Sequence, residues 1–389
     1  MGNSANTGGS RYVDIAEQLF AEVREGKYSA HRSFPSLSMI MRRFGVARAT
    51  AAKCVDELKR LGVIQASSRS RFEVVRRNRT IGLILPGVAY SEFFSAVMDG
   101  ISQSCQKAGY SLLFGNVYSA SHAVRAQQAK DLAMDFAHKG VAGVIFQPIE
   151  FVSNATRINN EILSILTGAN IPVVLIDSDV VSVSDHRQFD LVGINNFDAG
   201  RRLAEHLIDK GAKNIHFLMR RYWSSSVRNR LYGLKSAILM RRGGGDNCLN
   251  TLQADPSDQK TISAYLKKNR PDAIVCGNDT TAAYLGHTLD VLGIRVPEDI
   301  MLAGFDDVQH AYVMSPQLTT IHQPCHDIAD VAVRRLLSRI EDPNLELMEI
   351  FLPSPLVERG STQRIARVSQ RHPSKRKSNE STKSGRLTR

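Results

Sequence analysis

The first apolar residues of the chain fall on one stripe. Val13, Ile15, Ala16, Leu19, Phe20 and Val23 recur at three- and four-residue steps, which predicts a helix with one buried face. Gly26 ends it. Phe34-Pro35 is extended, and Ser36 stands as the N-cap of a second helix whose inward positions are Leu37, Ile40, Met41 and Phe44. Gly45 closes that helix in a tight turn. A third helix over 48–61 turns Ala51, Val55, Leu58 and Leu61 inward and leaves Arg48, Thr50 and Lys53 near its exposed start. After Gly62, segments 63–65 and 72–75 read as two strands around a polar, basic tip. Two helices joined by a short glycine turn, the second opening with Arg and Thr, suit insertion into the major groove of DNA. The strand pair would be a wing.

From Thr80 the pattern changes. Ile81-Gly82-Leu83-Ile84-Leu85 is a continuous apolar run, as in a strand buried on both faces of a parallel sheet. Further strands are predicted at 111–114, 143–146, 173–176, 191–194, 215–218, 273–276 and 300–304. Amphipathic helices at 93–108, 123–138, 199–210, 228–241, 258–268, 280–292 and 326–341 alternate with them. Such alternation over about 280 residues predicts an α/β fold of two doubly wound parallel-sheet lobes behind a small winged helix-turn-helix. The expected domains are 10–76 for the head, 77–80 for a linker, 81–360 for the two lobes, and 361–389 for a basic disordered tail. A ligand in this architecture sits at the carboxyl ends of the strands, between the lobes.

Charge sharpens the division. Residues 1–80 hold 15 Lys and Arg against 7 Asp and Glu, residues 81–363 hold 26 against 30, and residues 364–389 hold 9 against 1. A basic head before an acidic body points to double-stranded DNA as the partner of the head alone. The five cysteines never form a C-x-x-C pair, which argues against a disulfide framework or a metal site. No apolar run reaches the length of a membrane span, and the polar first ten residues do not resemble a signal peptide, so a cytoplasmic protein is expected. No G-x-S-x-G, H-E-x-x-H or P-loop pattern occurs, and no catalytic residue or cofactor is assigned.

The head resembles the GntR-type winged helix over about 65 residues, through Ile15 to Leu19, Gly26, Phe34-Pro35-Ser36, Phe44 to Thr50 and Asp56 to Ile64. It departs from that pattern at Leu37-Ser38, where Glu-Arg is usual, at Ala52, and in a wing of Ser68-Arg69-Ser70-Arg71. The resemblance implies a DNA-facing set of Ser36, Arg48, Thr50 and Lys53, and Arg42, Arg43, Arg69 and Arg71 are the residues expected to restore the phosphate contacts that the departures remove.

The body resembles the LacI-type regulatory domain, similar in turn to periplasmic sugar-binding proteins. The segments that carry this include Ile81 to Pro86, Asn195 to Gly200, Arg228 to Gly233, Gly277-Asn278-Asp279, Arg295 to Ile300, Gly304 to Asp307 and Leu318 to Pro324. GntR-type heads on LacI-type bodies resemble the arabinose-responsive repressors of bacteria. The resemblance implies a homodimer whose operator affinity is set by a small-molecule effector, a sugar or sugar derivative. It assigns Tyr90, Phe93 and Phe94 as an aromatic wall, Arg230 as a clamp, Asn278 and Asp306 as partners of hydroxyls, and Arg228 and Asp177 as further contacts. Phe93 and Phe94 could equally be core residues of the following helix, and Asp306 a helix cap. Trp223, after a strand end, could border the cleft or pack at a lobe edge. A solute receptor or an enzyme of the same fold, without DNA regulation, is the competing function.

Overall fold

The structure, a computed structural model, describes residues 11–24, 27–28, 34–68, 71–74, 78–86, 91–115, 121–180, 188–242 and 249–363. Gly26, Arg69, Tyr90 and the basic tail lie outside the described residues. The chain divides into two units, Met1–Arg79 and Thr80–Arg389.

The first unit contains α1 (Arg11–Arg24), α2 (Leu37–Phe44), α3 (Arg48–Arg60) and an antiparallel pair, β1 (Ile64–Ser68) and β2 (Arg71–Val74), in which Ile64 faces Val74. Its core is the predicted stripe, with Ile15, Leu19, Ile40, Ala51, Val55 and Leu58 buried. Gly45 takes φ +61°, the left-handed conformation that a C-cap favours in glycine, and its amide bonds the Met41 carbonyl. Leu61 departs from expectation. The helix stops at Arg60, so Leu61 becomes the cap, leaves the helical face, and is 42% exposed.

The second unit holds two six-stranded sheets. The first joins β3 (Thr80–Ile84), β4 (Ser111–Phe114), β5 (Gly143–Phe146), β6 (Val173–Ile176) and β7 (Asp190–Ile194) with the late strand β13 (Glu349–Leu352), in the order β13-β7-β6-β5-β3-β4. The other joins β8 (Ile215–Met219), β9 (Asn250–Gln253), β10 (Ala273–Cys276), β11 (Met301–Asp306), β12 (Thr319–His322) and β14 (Leu356–Val357), in the order β14-β12-β11-β10-β8-β9. Every pairing in them is parallel except β12 with β14. The helices are α4 (Glu92–Lys107), α5 (His122–Lys139), α6 (Ala155–Gly168), α7 (Asn196–Asp209), α8 (Ser225–Arg242), α9 (Gln259–Asn269), α10 (Asp279–Val291), α11 (Gln309–Val313) and α12 (Cys325–Glu341). The apolar pattern does not announce α6, α11, β9, β12, β13 or β14. None of the described helices is long and apolar enough to cross a membrane.

Because β13 returns to the first sheet, the chain passes between lobes three times, near Asn195, near Gln323 and at 353–355. A polar contact pins each passage. Asn196 accepts from Arg230 Nε at 2.8 Å, Gln323 Nε2 donates to Asp306 at 2.7 Å, and Ser354 accepts from Arg202 through its carbonyl at 2.6 Å. Helix α12 is held to the first sheet by Asp190, which is fully buried and accepts from Arg339 at 2.6 Å and Arg335 at 3.0 Å. Burial raises the Asp190 carboxyl, but the two arginines and the Met348 amide outweigh it and leave it below its ordinary range.

Helices α7 and α8 cross with their backbones in contact. A Cβ at Gly200 would overlap the Arg230 carbonyl, and one at Gly233 would overlap the Phe197 carbonyl. This crossing fixes where α8 presents Arg230.

Candidate effector cavity and DNA-facing helix

In the head, α3 exposes Arg48 and Lys53 on the side away from its buried residues, and Thr50 is half-buried beside them. Ser36 caps α2, its hydroxyl accepting from the Met39 amide at 3.4 Å. Arg42 and Arg71 are exposed. Arg42, Arg48, Lys53 and Arg71 form no ion pair among the described residues, so their charges are open to a polyanion. Arg43 is placed differently from expectation. Glu22 on α1 is only 5% exposed and needs a counter-charge, which Arg43 supplies with both terminal nitrogens, while Tyr28 adds its hydroxyl at 2.5 Å. The Arg43 hydrogen bond, working against burial, takes the Glu22 carboxyl down to about 2. Arg43 therefore ties α2 to α1 through Glu22, although its side chain stays 42% exposed.

In the body, the carboxyl ends of β5, β6 and β7 meet those of β8, β10 and β11. Arg230, 3% exposed, spans the junction. Besides Asn196, its Nη1 donates to the Gly277 carbonyl at 2.7 Å and lies 3.5 Å from Asp306, while the guanidinium stands 4.6 Å from the Phe305 ring centre. Asp306 ends β11 at φ +117°, a rare conformation for a residue with a side chain, and it caps no helix. Burial pushes its carboxyl up to about 6, although Arg230 and Gln323 both pull it down. Asp177, also left-handed at φ +64°, accepts from Ser178 at 2.8 Å and Ser226 at 3.1 Å. Glu150, accepting from Gln147 at 3.1 Å, is pushed up to about 8, first by burial and then by the nearby Asp177 carboxylate. Opposed charges and hydroxyls thus converge where the two sheets face each other.

Beside this network lies a cavity of about 150 Å³. Phe94 and Trp223 supply apolar wall, and Asn278, Gln147 and Glu150 supply polar groups. Asn278 is partly committed, since its Oδ1 caps α10 by accepting from Thr281 at 2.9 Å. Phe93 points the other way. It is 4% exposed within the lobe core and meets Phe94 edge-on at 5.0 Å, because successive helix residues cannot share a face. Arg228 lines a neighbouring cavity with Ser225, and its buried Nε has no hydrogen-bond partner. Asp177 reaches the site through Ser226 without lining the cavity. Residues not anticipated from the pattern also line it, namely His122 and Arg125 at the start of α5, Arg220 after β8, and Tyr284.

Comparison with known proteins places both units. Residues 11–74 match the family described as bacterial regulatory proteins, gntR family, and residues 204–362 match the periplasmic binding protein-like domain. The HTH-type transcriptional repressor PurR of Vibrio vulnificus (strain CMCP6) is 30% identical over 329 residues, covering 82% of this chain and 92% of the relative. The chain belongs to the LacI-type transcription regulators. It carries a GntR-type head. Catabolite control protein A of Staphylococcus epidermidis is 26% identical, over 81% of this chain and 90% of its own length. Among solved structures, a LacI family transcriptional regulator from Enterococcus faecium with bound ribose is 25% identical, covering 74% of this chain and 100% of that one at a TM-score of 0.59. The transcription regulator GntR from Chromobacterium violaceum is 27% identical at a TM-score of 0.58, over 73% and 99% of the two chains.

As a member of this family the chain is a DNA-binding transcription regulator with a small-molecule effector domain. Its head and body are the parts that the LacI-type and GntR-type sequence patterns imply.

Proposed function

We propose that this regulator represses by binding an operator as a homodimer through α3, and that a sugar or sugar derivative in the inter-lobe cavity changes its affinity for that operator. Arg48, Thr50 and Lys53 would meet the major groove, with Ser36, Arg42 and Arg71 on phosphates. Phe94 would stack on the ligand and Asn278 would bond its hydroxyls, while Arg230 and Asp306, which stand beside the cavity without lining it, would meet a ligand that reaches past Gly277. The observation that carries the reading is the buried Arg230, which bonds Asn196 at a passage between the lobes and the Gly277 carbonyl after β10 at 2.8 and 2.7 Å. A ligand that competes for this residue changes the contact between the lobes, and so the state of the dimer. Ribose bound to the relative from Enterococcus faecium supports a sugar as effector.

The function is regulatory and not catalytic, in a cytoplasmic protein. Fluorescence anisotropy of operator fragments, selected from random DNA by the full chain, tests it against a panel of pentoses, hexoses and their derivatives. A ligand-dependent change in DNA affinity is expected, corresponding to about 1–3 kcal/mol of coupling. Operator affinity that no panel member changes would remove the effector reading.

A further inference from the structure

One face of α3 carries a charge of the wrong sign for DNA. The buried residues Ala51, Cys54, Val55 and Leu58 fix which side of the helix points inward. At about 3.6 residues per turn, Ala49 stands almost opposite them, and Lys53 and Asp56 fall within about 30° of it on the next two turns. All three are exposed. The face that a groove-bound α3 turns to the bases therefore presents a methyl, an ammonium and a carboxylate. The carboxylate is the anomaly, because the phosphates on both sides of the groove repel it.

Its neighbour in sequence is already spent. Arg60 donates to Glu57 from Nε at 2.9 Å and from Nη2 at 2.6 Å. Asp56 has a side chain 73% exposed and accepts no hydrogen bond among the described residues; Lys59 Nζ is 3.6 Å away, and it also lies 5.2 Å from the centre of the Phe72 ring on the wing strand β2. An ionised carboxylate only accepts, so in the groove it needs an amino donor, and cytosine N4 is one. Adenine sets its N6 donor beside the N7 acceptor, which repels the second carboxylate oxygen. A lysine only donates, and guanine offers it N7 and O6. Residues three apart rise about 4.5 Å along a helix, against about 3.4 Å for one base-pair step, so Lys53 and Asp56 meet neighbouring pairs.

We propose that Lys53 and Asp56 read neighbouring G·C pairs of the operator, Lys53 through guanine and Asp56 through the cytosine amino group. Asp56 gives selectivity by penalising DNA that lacks cytosine there, since its charge then stays unmatched between phosphates. This rests on the reading of α3 as the groove-bound helix. Ala49 contributes by its size, because a methyl lets the α3 backbone come close enough for the short Asp56 side chain to reach a base edge.

Operators selected from random DNA by the full chain supply the probe. Fluorescence anisotropy at fixed salt compares the selected operator with duplexes carrying each single base-pair change and with a scrambled duplex. The wild type is expected to lose about ten-fold in affinity when one particular G·C pair becomes A·T. In Asp56→Ala that penalty should fall below about three-fold while affinity for scrambled DNA rises about three-fold, a combination that loss of structure cannot produce. Asp56→Asn, whose amide matches adenine N6 and N7, should turn the preference at that pair towards A·T. Lys53→Ala should flatten the preference at the neighbouring pair and weaken binding to all DNA. Asp56→Ala with wild-type base preferences, or with weaker binding to scrambled DNA, overturns the Asp56 assignment and leaves α3 as the groove-bound helix. Lys53→Ala and Arg48→Ala that both keep wild-type affinity and base preference overturn the α3 reading as well.

Discussion

Arginine does opposite work in the two units. In the head, Arg42, Arg48 and Arg71 are exposed and unpaired among the described residues, so their charge is available to DNA. In the body, Arg230, Arg335, Arg339 and Arg359 are largely buried, and each meets a carboxylate, Asp306, Asp190 or Asp307. An exposed cation costs nothing in stability and gains its value only when a polyanion arrives, whereas a buried one is tolerable only with its partner in place. The basic surplus of the head and the acidic balance of the body follow from this division. Arg43 stands between the two classes, since it is paired with a buried carboxylate as these body arginines are with theirs, yet stays 42% exposed.

Experiments can break this contrast at decreasing cost. Arg230→Ala should have the largest effect, about 3–5 kcal/mol of lost stability, because Asp306 is left buried without its cation. A denaturation midpoint read from Trp223 fluorescence that stays at the wild-type value would mean that the pair is dispensable. Gly233→Ala should cost about 3 kcal/mol through overlap with the Phe197 carbonyl, and loss of effector response should accompany it since α8 carries Arg230. Full retention of both would show that the α7–α8 crossing can open.

Arg48→Ala touches the other class of arginine. It should weaken operator binding by about 1–3 kcal/mol if Arg48 reads a base, with the denaturation midpoint unmoved. Equal loss on all sequences, with a shallower salt dependence, would assign it to phosphate instead. The smallest effect concerns Glu22. Its folded pKa of about 2 lies below the ordinary 4.5, so its contribution is complete above about pH 4.5 and is lost as the pH falls towards 2. Hydrogen exchange in α1 and α2 should speed up across that window in the wild type and show no such step in Glu22→Gln.

Much of this was legible in the sequence because the elements that build the cores have only one good place to go. Strand β5 reads Gly-Val-Ile-Phe and is buried throughout, so its apolar run is unambiguous. Strands β9 and β13 lie at sheet edges, half in solvent, and Asn-Thr-Leu-Gln or Glu-Ile-Phe-Leu carries no such run. Helix α6 puts Asn159 on its buried side, where the side chain holds the Ile149 backbone with bonds of 2.8 and 3.2 Å, so a polar residue interrupts the stripe that would have marked it. At the site, Arg230 and Asp306 stand in motifs that a family pattern exposes. His122, Arg125 and Arg220 do not. They come from a helix start and a strand end nearly a hundred residues apart, and only the packing of the two lobes gives them a common cavity.

The three inter-lobe passages have a mechanical consequence. Two of them, at Asn196 and Gln323, are tied to opposite members of the same Arg230–Asp306 pair. On the function proposed above, the sensor and the hinge pin are one object. A molecule that takes a hydrogen bond from either partner alters the stiffness of the joint at its axis, and no relay of intermediate residues has to carry the signal there.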